Sequence, residues 1–234
     1  MKKLLTSIFV LAILACSVCS CSNSENSSSS DSDSVSDTEN SEETPEEPTN
    51  APNDTKLSEE IIKPLKDYFI SYQNIDADLY LEAVNPKFCL DWAKETGVYN
   101  EAVMSAKDSI ESSILIWQNN YGDDVTREFI EEIQNTTLTP EQLGYAEMMF
   151  RYDYYGIDVD FEITEGYEVT FTYMLKGEKD EKVDEQAACL INIKDEGWIL
   201  LEQDAASLTD YKDVPPPEEV AQQIQTTESE TSVE

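Results

Sequence analysis

Apolar residues are distributed unevenly along this chain, and that distribution limits where a folded core can form. Residues 22–55 hold ten acidic side chains, no lysine or arginine, and only two aliphatic residues. Such a stretch buries too little apolar surface to offset the entropy of ordering its backbone. From Thr209 onward the chain is again polar and acidic and contains three consecutive prolines. We therefore expect one folded domain over 57–208, between a disordered acidic tether (21–56) and a disordered acidic tail (209–234).

The charge of the chain restricts the partners that the domain can bind. The formal net charge is −35, and residues 57–208 alone hold 33 acidic against 11 basic side chains, a net charge near −22. Such a surface repels phosphate backbones, so no nucleic acid is expected to bind. Basic peptides, other cationic partners and divalent cations remain compatible with it. The acid excess has a simpler interpretation too, because it favours solubility next to an anionic cell surface.

The first 20 residues have the layout of a secretory signal peptide. Two lysines follow Met1, and Leu4 to Ala15 is an apolar run interrupted only by Thr6 and Ser7. This run is shorter than the roughly 20 apolar residues that a permanent transmembrane helix needs. The pattern therefore predicts export, with removal of residues 1–20.

Three cysteines follow the apolar run, and the segment Val18-Cys19-Ser20-Cys21 resembles the lipobox of bacterial lipoproteins. The resemblance implies cleavage before Cys21, attachment of diacylglycerol to its thiol, acyl chains such as palmitate in the anchor, and a location on the outer, extracytoplasmic face of the cell membrane. Ile13-Leu14-Ala15-Cys16 is a weaker match, since its leucine is bulky. A signal peptide cleaved without lipidation, or an uncleaved anchor, is the simpler alternative. If Cys21 is lipidated, the tether holds the domain away from the membrane.

The other two cysteines, Cys89 and Cys189, lie within the domain, each between apolar neighbours. An oxidising compartment allows a disulfide between them. The same neighbours are typical of buried free thiols. The sequence leaves both possibilities open.

The first half of the domain has helical periodicity. Caps and stops predict four helices, which run from Ser58 to about Asn74 with a kink at Pro64, from Asp76 to Asn85, from Lys87 to Lys94 and from Asn100 to Gly122. A further helix, from Thr139 to about Tyr155, has Thr139 as its cap and Pro140 at its first position. Residues 125–138 fit either a helix or a strand.

The second half alternates apolar and polar residues, which is typical of antiparallel strands. One predicted hairpin pairs residues 157–164 with 167–175 around Glu165-Gly166, and a second pairs 187–193 with 198–201 around Asp195-Glu196-Gly197. Helices followed by antiparallel strands indicate an α+β domain, with N-terminal helices on one face of a curved sheet.

This order resembles the nuclear-transport-factor-like, or cystatin-like, cone superfamily. The likeness depends on the capped Asp76–Tyr80 helix, the Ile163–Val169 segment and the closing hairpin with Trp198, and the helix after Pro140 would be an insertion. It implies a concave pocket for a small apolar ligand or a peptide, lined by aromatic residues. These are Tyr80, Trp92, Tyr167, Phe171, Tyr173 and Trp198. Alternatively, the same side chains fill the core. Met148-Met149-Phe150, with Tyr152, Tyr154 and Tyr155, is a second candidate surface for binding an envelope protein.

The residue types exclude most catalytic chemistry. The chain has no histidine, no Gly-rich phosphate loop and no Cys-x-x-Cys in the domain, and we expect neither a cofactor nor a metal site. Asp158, Asp160 and Glu162 lie on one strand face but lack the spacing of a calcium loop. A non-catalytic binding module is therefore expected. The alternative is a hydrolase of envelope glycans, which would use two carboxyl groups.

Overall fold

The computed structural model describes residues 53, 55–154, 157 and 160–212. The helices are α1 (Glu59–Asn74), α2 (Ala77–Val84), α3 (Lys87–Thr96), α4 (Tyr99–Tyr121), α5 (Pro140–Asp153) and α6 (Ala205–Leu208), followed by a 3-10 turn (Thr209–Tyr211). The strands are β1 (Thr126–Thr137), β2 (Ile163–Lys176), β3 (Glu181–Ile193) and β4 (Gly197–Leu201). The four strands form one antiparallel sheet in the order β1-β2-β3-β4. The predicted α+β class is confirmed.

The helix boundaries follow local capping chemistry. Asp76 accepts a hydrogen bond from the backbone N–H of Leu79 at 3.0 Å and begins α2. Thr139 and Gln142 form a reciprocal capping box at the start of α5. Ser58 precedes α1 without capping it through its side chain, and α1 continues through Pro64. Pro64 is the sixth residue of α1, beyond the first turn, so its missing N–H removes one intrahelical hydrogen bond, the one to the carbonyl of Glu60.

The hairpin predicted around Glu165-Gly166 is wrong. Strand β2 runs straight through both residues, and the chain reverses after Lys176 to pair β2 with β3. Gly166 has a packing role: a Cβ there would lie 2.8 Å from a side-chain carbon of Leu138 and 3.0 Å from one of Leu143. The missing side chain lets the β1–α5 connection pack against the strand. The ambiguous segment 125–138 is strand β1, and the predicted β3–β4 hairpin is confirmed.

The sheet has helices on both faces, whereas the sequence led us to expect them on one. The first core lies between α1–α4 and one face of the sheet, and it includes Phe171, Ala188, Leu190 and Leu200. The second core lies between α5, α6 and the other face, and it includes Cys189, Ile191, Ile199 and Leu201. Alternate residues of β3 and β4 thus serve opposite cores, so both strands are apolar on both faces and need cover on both.

Packed residues extend past both ends of the predicted 57–208 domain. Asn53 forms an antiparallel bridge with Asn135 of β1. The 3-10 turn beyond Leu208 brings Tyr211 against the second core. No helix among the described residues combines the length and apolar character required to cross a membrane.

Candidate functional site

A surface groove lies where α1, α2 and β4 meet. Its volume is about 260 Å³. Its lining residues are Glu60, Lys63, Pro64, Asp67, Glu82, Ala83 and Trp198. The α1 members recur three or four positions apart and therefore share one side of that helix. Helical periodicity and the position of Trp198 on β4 thus create a concave surface from three separate elements.

The groove carries more negative than positive charge. Three carboxyl groups and one ammonium group line it, and the ammonium group of Lys63 donates a hydrogen bond to Asp67. Glu60 and Glu82 take part in no ion pair within the described residues. A ligand in the groove would therefore meet two uncompensated carboxylates.

Trp198 supplies the aromatic surface of the groove. Its ring lies 5.7 Å from that of Tyr167, centroid to centroid, at an interplanar angle of 30°. Trp198 is only partly buried, and it packs against the first core. An indole ring flanked by carboxylates attracts cations, through its π face and through the charges around it.

The six residues predicted to line an aromatic pocket all belong to the first core or pack against it. Tyr80 and Phe171 are fully buried, while Trp92, Tyr167, Tyr173 and Trp198 are partly buried. Phe171 and Tyr173 have ring centroids 6.4 Å apart on β2. Of the six, Trp198 alone is among the lining residues of the groove.

The elements that line the groove also hold a polar network that the sequence analysis missed. Glu202, directly after β4, accepts hydrogen bonds from the hydroxyl of Tyr80 at 2.7 Å and from that of Tyr68 at 2.8 Å. Burial raises the pKa of the Glu202 carboxyl, although both hydroxyls and the charge of Arg127 oppose that rise. Burial and the nearby Glu202 charge raise the pKa values of Tyr68 and Tyr80 as well, so both remain donors.

Arg127 of β1 completes this network from inside an aromatic cage. Its guanidinium donates to the Tyr68 hydroxyl at 3.1 Å and to the side-chain oxygen of Gln186 at 3.0 Å. Five rings surround the guanidinium carbon at 4.6–5.7 Å, those of Tyr68, Phe69, Tyr72, Trp117 and Tyr173. Arg127 thus occupies a buried strand position at which an apolar residue is expected, and the aromatic rings enclose its charge. The sequence left residues 125–138 ambiguous between helix and strand. If they had been predicted as a strand, the alternation along β1 would have indicated that Arg127 lies on the core face.

The second predicted binding surface is largely buried. Met149 and Phe150 pack into the second core, and Phe150 stacks on Tyr154 at 5.6 Å. Tyr152 is exposed, and Tyr155 lies outside the described residues. The aromatic residues in and after α5 are therefore mainly core residues, because one side of α5 covers the sheet face of the second core.

The sulfur atoms of Cys89 and Cys189 are free, and both residues are buried. Burial raises the pKa of each thiol. No group of three or more potential metal ligands occurs in the parts of the chain that the structure describes. Glu162 of the considered calcium stretch is instead paired with Lys194 at 2.6 Å. Cys21 and Asp158 lie outside the described residues.

Comparison with protein-family models, curated proteins and solved structures gives no match to this chain.

Proposed function

We propose that this chain is a bacterial lipoprotein held on the outer face of the cell membrane by an acylated Cys21. Its domain is a non-catalytic module that binds a basic side chain of an envelope protein in the groove of α1, α2 and β4. The acidic groove around Trp198 is the observation that carries this proposal. The leader from Leu4 to Ala15 and the lipobox-like segment before Cys21 support the location.

The size of the groove favours a side chain over a whole small molecule. Pockets for drug-sized ligands enclose roughly 300–1,000 Å³, and this groove encloses about 260 Å³. One lysine or arginine side chain fits such a space, and its charged end can reach Glu60 or Glu82. Its alkyl part can lie against Trp198. The acidic surface of the domain would speed the approach of a basic partner.

We also propose that the domain is a relative of the cone superfamily, with α5 as an insertion. The helices that precede a four-stranded antiparallel sheet support this relationship. Tyr80 and Phe171 are packed in the first core and so fill the interior of the proposed cone. We therefore propose the surface groove as the binding site.

The rival function, glycan hydrolysis, would need a carboxyl group of raised pKa beside a second carboxylate about 5–10 Å away. Glu202 meets the first condition. Both oxygens of its carboxylate, however, are occupied as acceptors by the hydroxyls of Tyr68 and Tyr80. This environment is that of a structural carboxyl group, which favours the binding function.

Calorimetric titration with a lysine-containing peptide tests the groove, and the same peptide with acetylated lysines is the negative control. Replacing Glu60 and Glu82 by Gln should weaken binding about tenfold, since two exposed charge contacts, each worth up to about 1 kcal/mol, are lost. The matched variant replaces Glu178 and Glu185, two exposed acids outside the groove, and changes the net charge equally. Equal weakening by both variants would reject the groove and leave only general electrostatic attraction.

Metabolic labelling with palmitate tests the anchor separately. The wild-type protein and a Cys16→Ala variant should incorporate the label, while Cys21→Ala should not. Labelling of Cys21→Ala at the wild-type level would exclude Cys21 as the acylated residue.

A further inference from the structure

The outer edge of strand β1 holds a short extended segment that precedes α1. The backbone N–H of Asn53 donates to the carbonyl of Asn135 at 2.8 Å, and the side chains of these two residues are hydrogen-bonded at 2.9 Å. Asn135 also donates to the carbonyl of Thr55 at 2.9 Å. The N–H of Leu57 donates to both carboxylate oxygens of Glu132, at 3.1 and 3.2 Å. The segment therefore runs antiparallel to β1 and is bonded at three successive points.

The two residues that hold this segment are buried polar groups. Glu132 is 7% exposed and Asn135 is 1% exposed, and Asn135 donates to Glu132 at 2.7 Å. Residues three positions apart on a regular strand point to opposite faces. A register shift between Glu132 and Gln134 changes this, so that Glu132 and Asn135 oppose Phe171 and Val169, which share one face of β2. The β-bulge thus brings both polar side chains to the same side.

We propose that the β1 edge is a docking site for the end of the acidic tether, formed by Glu132 and Asn135 and occupied by Asn53, Thr55 and Leu57. The site fixes the point at which the tether leaves the domain. It also occupies the edge of β1 at Asn135, where another strand could otherwise pair. Every contact of this site lies within the described residues, and none involves the groove or a lipid.

The composition of β1 explains why such a cover is needed. β1 is a 12-residue edge strand, and Ile130 and Ile133 stay exposed even with the segment in place, so the segment blocks the edge at Asn135 and does not bury their side chains. Long edge strands with exposed apolar side chains pair with other chains, and proteins commonly cover them. The tether end supplies one backbone partner from the same chain, the N–H of Asn53 for the carbonyl of Asn135, and so obstructs pairing of another strand at that point.

Hydrogen exchange of the full-length protein tests the docking. In the wild type, the amide of Leu57 should exchange at least about tenfold more slowly than an unstructured amide. Asn53→Pro removes the donor at an exposed position without changing the core, and Glu132→Gln removes the carboxylate at nearly constant volume. Each should accelerate exchange at Leu57 several-fold, while amides in α4 remain protected. Gln134→Ala, an exposed neighbour on β1, is the control and should leave Leu57 unchanged.

Sedimentation velocity measures the second part of the proposal. Asn53→Pro should sediment partly as dimers or larger species at concentrations where the wild type and Gln134→Ala are monomeric. Rapid exchange at Leu57 in the wild type, or unchanged protection in both variants, overturns the docking site. Accelerated exchange with purely monomeric sedimentation overturns its role as a cover.

Discussion

The Tyr68 hydroxyl accepts a hydrogen bond from Arg127 at 3.1 Å. The same hydroxyl donates to Glu202 at 2.8 Å, so it connects a buried cation to a carboxylate through one oxygen atom. The geometry balances two charges across the first core without direct contact between them. Removing either charge would leave the other uncompensated in the protein interior, which lowers the free energy of unfolding.

We expect Arg127→Met to lower the free energy of unfolding by about 3 kcal/mol, because Glu202 then lacks its compensating charge. The double variant with Glu202→Gln should be more stable than the sum of the single effects predicts, by about 1 kcal/mol or more. Chemical denaturation measures all four proteins. Arg151→Met is the matched control: Arg151 forms an exposed pair with Glu147, and its loss should cost at most about 1 kcal/mol. Strict additivity would contradict the coupling.

The raised pKa of Glu202 predicts a specific pH dependence. A carboxyl group whose native pKa exceeds its unfolded value contributes stability fully below the unfolded value, near 4.5, and loses it as the pH rises through the native value. The wild type should therefore lose stability relative to Glu202→Gln as the pH rises above 4.5. Denaturant titrations at several pH values measure this difference. Parallel curves for the two proteins would show that burial does not perturb Glu202.

Burial of Cys89 and Cys189 predicts protection from thiol reagents. A thiol of raised pKa yields little thiolate, and thiolate is the reactive form. Neither cysteine should be alkylated in the native protein at pH 8, and both should react in denaturant. Mass spectrometry of the corresponding peptides distinguishes them from any cysteine of the N-terminal segment. Fast labelling of either peptide without denaturant would contradict the buried placement.

Ile75 ends helix α1 with a left-handed backbone, at φ 51° and ψ 45°. A β-branched side chain is disfavoured in this region, whereas glycine is not. Ile75→Gly should therefore raise the free energy of unfolding by about 1 kcal/mol. Ile70 is equally exposed, 40% against 42%, but lies within the helix, so Ile70→Gly should be destabilising by about 1 kcal/mol. Thermal unfolding of both variants gives the sign of each change in the free energy of unfolding. Destabilisation by Ile75→Gly would show that the left-handed backbone at Ile75 is not strained.

Local signals predicted the helices well and the polar interior poorly. Asp76, Thr139 and Gly122 mark helix ends through short-range chemistry, and each lies where the sequence predicted. Gly166 was misinterpreted as a turn because its real constraint is the approach of Leu138, which is distant in sequence. The partnership of Arg127 with Tyr68 and Glu202 depends on the same kind of long-range contact, between residues 59 and 134 positions from Tyr68.

The candidate groove was only partly predictable for a similar reason. Trp198 was recognised as a binding residue from its aromatic character, but Glu60 and Glu82 were not singled out among 50 acidic residues. Their relevance comes from the packing of α1 beside α2. No spacing within one helix indicates that packing.

Strand β3 contributes alternate side chains to both cores, with Leu190 on one side and Ile191 on the other. If α1–α4 or α5–α6 detached, apolar residues of β3 would be exposed on that face, and the other helices would lose the strand against which they pack. The two layers cannot melt independently, and heat should unfold the domain in one all-or-none transition. In calorimetric terms, the van't Hoff and measured enthalpies should agree, and no half-unfolded species should accumulate.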